Sequence, residues 1–151
     1  MISRIADHCY WFGRYLERLE STTRLLAVTR NLALGGGATG LELWSPVVTV
    51  TGEHDRFTLK PSDAPGEYGE AVERYLTWDE QSAASLLSTL RALRENGRSM
   101  REVISLETWS SLNALWLRFK EDRGNMMWKT DRAQFYGRVI NGSQFVAGLL
   151  M

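Results

Sequence analysis

The stretch that decides the fold is Tyr10-Trp11-Phe12-Gly13-Arg14-Tyr15-Leu16-Glu17-Arg18-Leu19-Glu20, near the start of a chain of 151 residues. Its apolar residues recur three and four positions apart, which is the spacing of one face of an α-helix. The same face extends before and beyond this stretch and consists of Ile5, Cys9, Phe12, Leu16, Leu19 and Leu26. The sequence therefore predicts one long helix over residues 1–30, with this face in the core.

A second line of residues runs beside that apolar face and contains Gly13, Glu17, Glu20 and Arg24. A glycine there permits the close approach of another helix. A Glu four residues before an Arg is also the favourable order for an ion pair on a helix. We therefore expect this helix to pack on two sides and to bury charges in its second interface.

Three more long helices are predicted by apolar residues at helical spacing. They run from Asp79 or Ser82 to about Ile104, from about Glu107 to Asp122, and from Thr130-Asp131 toward the end of the chain. A shorter helix is expected over Glu70 to Trp78, after a loop over residues 60–69 that contains Pro61 and Pro65. The predicted fold is all-α: a single domain over residues 1–151, an antiparallel bundle of about four long helices plus short ones, with no sheet.

The run Val47-Val48-Thr49-Val50-Thr51 is the most strand-like in the chain, because β-branched residues favour strands. It follows Ser45-Pro46, a typical start of a helix, and precedes Gly52, a typical end. No other segment offers a strand with which it could pair. We therefore predict a short helix here.

Composition excludes several classes of function. Lys plus Arg and Asp plus Glu number 18 each, which argues against nucleic acid or an anionic membrane as the partner. Cys9 is the single cysteine, so no disulfide is expected, and its place on the apolar face predicts a buried, inert thiol. The sequence carries neither a signal-peptide pattern nor an apolar run long enough for a membrane span, and a cytoplasmic location is expected.

Charged residues on the second long helix complement the acids of the first. We predict that Glu17 contacts at least one of Arg94, Arg98 and Arg101. Glu17, Arg94 and Arg101 lie beside the apolar face of their own helix, and Arg98 lies one step further out. The arginines either neutralise the acids or bind a phosphate or carboxylate ligand from outside. No catalytic residue can be named. The candidate functional network is Arg14, Glu17, Arg18, Glu20, Arg24, Arg94, Glu95, Arg98 and Arg101.

Glu17 and Glu20 also raise the question of a di-metal centre, which helical bundles build from Glu-x-x-His motifs. The chain has only His8 and His54, and neither stands at that spacing from the acids. We therefore expect no metal and no cofactor, and a metal-binding bundle is the least favoured function. Asn113 is expected to bond a backbone group or an arginine, and the six tryptophans are expected to be mostly core residues.

Several stretches together resemble the bacterial alpha-E family over nearly the whole chain. They are residues 10–20, Trp44-Ser45-Pro46, residues 90–98, Arg101-Glu102, Ser105, Glu107, Trp109 and Asn113. The resemblance implies an all-helical, cytoplasmic protein without a settled activity. The characteristic Glu and Arg positions of the family correspond here to Arg14, Glu17, Arg18, Arg94, Glu95 and Arg98.

Genes of this family tend to neighbour a circularly permuted ATP-grasp ligase and a transglutaminase-like peptidase. The resemblance therefore implies an auxiliary partner of a peptide-forming or peptide-modifying system. The alternative is an enzyme of that system with the Glu/Arg network as its active site.

Family members run well past the end of this chain, which resembles their N-terminal half. The last helix carries an apolar line with no later segment to cover it. A homodimer is therefore expected, in which a second copy covers this line. The line consists of Phe135, Val139, Val146 and Leu149.

Overall fold

The computed structural model describes residues 2–36, 40–57 and 67–150, and within these ranges it contains seven helices and no strand. The all-α prediction is confirmed. The helices are α1 Ile2–Leu34, α2 Gly40–Val50, α3 Tyr68–Trp78, α4 Leu86–Ser99, α5 Leu106–Gly124, α6 Met127–Thr130 and α7 Arg132–Leu149.

The chain forms two compact units, one of residues 1–23 with 89–151 and one of residues 24–88. We call them the first unit and the second unit. The first contains α5, α6 and α7 with the start of α1 and most of α4, and the second contains α2 and α3 with the rest of α1. The single-domain organisation stays a prediction.

The core of the first unit is built from the apolar faces that the sequence predicts. Phe12, Leu16 and Leu19 of α1 are buried, as are apolar residues of α4, α5 and α7. Gly97 of α4 marks a close approach to α5 and α1, because a Cβ there would lie 2.8 Å from Leu112 and 3.2 Å from Phe12. The face of α1 is shorter than predicted, since Ile5 and Cys9 are both exposed. The prediction of a buried thiol is wrong, because burial of this face begins only at Phe12.

The apolar line on α7 packs against α5 within the chain. The rings of Phe135 and Phe119 lie 5.4 Å apart, and Leu115 fills the space left by Gly142. Phe135, Val139 and Val146 are no more than 2% exposed. The expectation that this line lacks cover inside the chain is therefore wrong, and the homodimer that it motivated stays a prediction.

Residues 47–50 belong to α2, so the strand-like run is helical except for Thr51, which lies in a turn before Gly52 with its φ of 79°. Burial of Trp44, Val47 and Val48 outweighs the β-propensity of the run. The predicted start at Ser45 is wrong, because α2 begins at Gly40 and contains Pro46. Pro46 lacks an N–H, which removes one main-chain bond from the helix interior.

The predicted second long helix is shorter than expected at both ends. Ser82 and Ser85 lie in turns before α4, where their hydroxyls bond the main chain instead of continuing a helix. Such local bonds compete with helix formation. Residues 100–104 form turns after α4. The predicted loop over residues 60–69 lies partly outside the described residues, and Gly69 belongs to α3, where a Cβ would meet Trp44 at 2.7 Å.

The helices α1, α3, α5 and α7 lie close to their predicted ranges, whereas the short helix α6 was not predicted. Ser105 caps α5 by accepting a hydrogen bond of 3.0 Å from the N–H of Thr108. Asp131 caps α7 by accepting one of 3.1 Å from the N–H of Gln134. These caps satisfy main-chain donors that the first turn of a helix leaves free. The helix α7 continues through Asn141-Gly142 without a break.

Candidate functional site

The acids of α1 do not meet the arginines of α4. Glu17 is 68% exposed and forms its ion pair with Arg14, one turn earlier on the same helix, at 3.4 Å. The prediction that Glu17 contacts Arg94, Arg98 or Arg101 is therefore wrong. An exposed carboxylate keeps its hydration and needs no arginine from another helix. A pair of this kind contributes little to stability.

Glu17 and Glu20 line a cleft of about 340 Å³ between α1 and the end of α7. The cleft also contains Gly13, Leu16, Ser21, Ala147 and Leu150. Gly13 is not a point of close helix packing, because a Cβ there would have no other heavy atom within 4 Å. The second face of α1 thus faces a cleft in the first unit, where the sequence predicts a tight and charged interface. Arg24 belongs to the second unit.

The arginines of α4 form a local group with one acid. Nη1 of Arg94 lies 3.7 Å from Oε1 of Glu95, and Nη1 of Arg98 lies 3.8 Å from the same oxygen. Arg98 and Glu95 have more than half of their side chains exposed, whereas Arg94 is 27% exposed. One carboxylate at such distances leaves the guanidinium groups with unused donors.

Arg94 is held in place by α5. Its Nε donates a hydrogen bond of 3.0 Å to Oδ1 of Asn113, as expected for a polar side chain beside an arginine. Its guanidinium carbon lies 5.9 Å from the ring centroids of both Trp109 and Trp116. The group is therefore positioned by one hydrogen bond and two cation–π contacts.

Two more cations lie on the same tryptophans. The guanidinium carbon of Arg101 is 5.8 Å from the centroid of Trp109, and Nζ of Lys120 is 5.5 Å from that of Trp116. Neither cation forms an ion pair with any residue of the described ranges. We call this group the arginine–tryptophan surface. It consists of Arg94, Arg98, Arg101, Trp109, Asn113, Trp116 and Lys120.

Sequence reasoning placed the arginines in a functional group but missed the role of α5. Trp109 and Trp116 are half-buried, not core residues, and the predicted network does not contain Lys120, which is exposed. The signal was available, because residues 109, 113, 116 and 120 are spaced along one face of a helix. A helical pattern does not show which helix packs beside that face. In the structure that helix is α4.

A comparison with models of known families identifies the family of this chain. A family model described as Alpha-E, "a predicted alpha-helical domain with a conserved ER motif", matches residues 1–151. The chain belongs to the alpha-E family. It matches no curated protein and no solved structure.

This alpha-E chain contains two Glu-Arg dipeptides, Glu17-Arg18 on α1 and Glu73-Arg74 on α3. Their surroundings differ. Glu17 is exposed, whereas Glu73 is 2% exposed and accepts a hydrogen bond of 3.1 Å from Nη1 of Arg30. The second dipeptide was not singled out in the sequence, although its acid is the one that is buried and paired between helices.

The second unit of the alpha-E chain holds another buried acid, Glu53. It follows α2, is 3% exposed and accepts a hydrogen bond of 2.7 Å from the hydroxyl of Tyr75. Burial of the Tyr75 hydroxyl, followed by its hydrogen bond to Glu53, raises the pKa of Tyr75 to about 12. Phe57 packs on the ring of Tyr75 at 5.2 Å. This cluster was also missed, because Glu53 lies in a turn without a periodic pattern.

The described ranges of this alpha-E chain also bear on metal binding and on membranes. They contain no group of three or more His, Cys, Asp or Glu side chains that could hold a metal ion. Among their helices, none has the length and apolar character needed to cross a membrane.

Proposed function

We propose that this alpha-E chain is a non-catalytic helical module that binds an ATP-grasp-type peptide ligase and serves a peptide-modification system. This context is what the resemblance to the alpha-E family implies, in which genes tend to neighbour such ligases and transglutaminase-like peptidases. The transglutaminase-like protein is the second partner that we propose.

The observation that carries the proposal is the arginine–tryptophan surface. The few positions that contribute most of the binding energy in protein interfaces are enriched in arginine and tryptophan. Trp109 and Trp116 are half-buried, and cations with unused donors lie over them. Asn113 holds Arg94 in one geometry before any partner arrives, which lowers the entropy lost on binding.

Co-purification from native lysate tests this function. The wild-type chain, tagged at one end, is expected to recover a protein that mass spectrometry identifies as an ATP-grasp ligase. An untagged lysate provides the background. Recovery of no ATP-grasp protein above that background would contradict the proposal.

A second candidate is an enzyme of the same system, and the cleft on α1 is the observation that favours it. Glu17 and Glu20 line this cleft together with Ser21. An active site here would use the carboxylates without the arginines of α4, since Glu17 pairs with Arg14. Loss of the turnover of a reconstituted system in Glu20→Gln, with ligase binding unchanged, would favour the enzyme over the binding module.

A further inference from the structure

We infer that the arginine–tryptophan surface binds an acidic peptide segment of the partner, with carboxylates bonded to Arg94, Arg101 and Lys120. This inference rests on the proposed function, because it names the chemistry that the partner presents to this surface.

The charge of the surface indicates the charge of its ligand. The surface contains four cations, Arg94, Arg98, Arg101 and Lys120, and within the described ranges Glu95 is the acid that pairs with any of them. Three other acids lie close by in the sequence, Glu102, Glu107 and Glu121, and none of them forms an ion pair with a described residue. The surface therefore carries an excess of positive charge on a chain whose formal net charge is zero. A complementary ligand is anionic.

The spacing of the tryptophans and cations indicates an extended peptide as the ligand. Trp109 and Trp116 are seven residues apart on α5, so about 10 Å separate their positions along the helix axis. Arg94 lies over both rings, Arg101 over the first and Lys120 over the second. An extended peptide places alternate side chains on one face, about 7 Å apart. A segment with an acid at every second residue can thus present carboxylates along this row of cations.

The tryptophan faces distinguish this ligand from nucleic acid. Bases bind single-strand-specific proteins by stacking on free aromatic faces. Here the cations already lie 5.5 to 5.9 Å from the ring centroids. A carboxylate, in contrast, bonds a guanidinium from its edge and leaves the cation–π contact in place.

Fluorescence anisotropy with a labelled peptide tests the inference. The probe is Glu-Ala-Glu-Ala-Glu-Ala-Glu, and its comparators are the same peptide with Gln in place of Glu and a labelled oligothymidylate. At low ionic strength we expect saturable binding of the Glu peptide. The Gln peptide should bind at least about tenfold more weakly, because charge-assisted hydrogen bonds are lost.

Paired variants locate the binding. Arg101→Gln with Lys120→Gln should weaken the Glu peptide about fivefold or more, the range expected for two partly exposed charge pairs. Arg118→Gln is the matched control, because Arg118 is also an exposed cation of α5 but lies in a groove against α7. It should bind within about twofold of wild type, since solvent screens a distant charge.

Three results would overturn the inference: no saturable binding of the Glu peptide, equal binding of the Gln peptide, or tighter binding of oligothymidylate. These failures are separable from that of the proposed function. If the ligase co-purifies but the Glu peptide does not bind, the function stands and the acidic segment is wrong. If the peptide binds but no ligase co-purifies, the surface stands and the proposed partner is wrong.

Discussion

Arg138 of α7 donates a hydrogen bond of 2.7 Å from Nη1 to Oδ1 of Asp122 on α5, and the Asp122 side chain is only 6% exposed. The pair joins two helices that also share the apolar contact between Phe119 and Phe135. It is a short, charge-assisted bond in a partly dehydrated place, where such bonds are strong. The pair of Arg14 and Glu17 on α1, in contrast, is longer at 3.4 Å, and both of its side chains are about half exposed or more.

Arg138→Met should lower the free energy of unfolding by about 2–4 kcal/mol, because it leaves the carboxylate of Asp122 buried without its cation. Urea unfolding followed by circular dichroism measures the change. Arg118→Met is the control, since it makes the same chemical change on a residue whose side chain forms no ion pair in the described chain. Equal stabilities of the two variants would show that the pair does not hold α5 and α7 together.

Gly142→Ala should destabilise the chain by about 1 kcal/mol or more, because its Cβ would lie 2.5 Å from Cδ1 of Leu115 and force repacking. Gly137→Ala, on the same helix, should stabilise by about 0.5–1 kcal/mol, because its Cβ meets no other atom within 4 Å and alanine favours helices. Thermal unfolding of both variants tests the opposite signs. Stabilisation by both would contradict the close packing of α7 on Leu115.

The raised pKa of Tyr75 predicts a loss of stability in alkali. An unfolded tyrosine ionises near about pH 10, whereas Tyr75 in the folded chain does so at about 12. The folded state therefore binds more protons between these values, and its stability falls as pH rises from 10 to 12. The free energy of unfolding should decrease more steeply with pH above about pH 10 in wild type than in Tyr75→Phe. Identical slopes would remove Tyr75 as the cause.

A substitution that tests the homodimer must lie outside the buried face of α7. Val146 is 1% exposed, so a charge there would unfold the chain whatever its oligomeric state. Phe145 is 59% exposed beside a groove between α5 and α7, so its face is free for a second copy. Light scattering should give twice the 17.2 kDa of one chain, and Phe145→Glu should give a folded monomer. A monomeric wild type at micromolar concentration would end this prediction.

Much of the fold could be predicted from the spacing of apolar residues, because that spacing determines which face of a helix is buried. It located Phe12, Leu16 and Leu19. The helix over residues 47–51 was predicted on other grounds, which are Ser45-Pro46 before the run, Gly52 after it and the lack of a partner strand. The ends of the helices were harder to predict from the sequence, because the hydroxyls of Ser82 and Ser85 bond the main chain in a way that no periodic pattern reveals.

The candidate site could be predicted only in part. A helical pattern shows that Glu17 and Arg94 lie beside apolar faces, but it does not show which side chains they meet. Charge alone suggested that the two meet each other. In the structure Arg94 meets Asn113 and two tryptophans, and Glu17 meets Arg14. Partner choice depends on how the helices are oriented, which is a property of the whole core.

The central claim is that the arginine–tryptophan surface binds the ligase, and charge reversal on it is the most direct test. Arg101→Glu with Lys120→Glu changes two exposed side chains that form no described ion pair, so folding should be preserved. Arg118→Glu with Lys129→Glu is a control of equal charge, since both residues are exposed and lie outside the surface.

The measurement is the amount of ATP-grasp ligase that each tagged chain recovers from the same native lysate. Like charges placed against an acidic partner cost several kcal/mol, which is more than about a hundredfold in affinity. The account predicts that wild type and the control recover the ligase equally and that the Arg101→Glu, Lys120→Glu chain recovers none. Equal recovery by all three chains would contradict it.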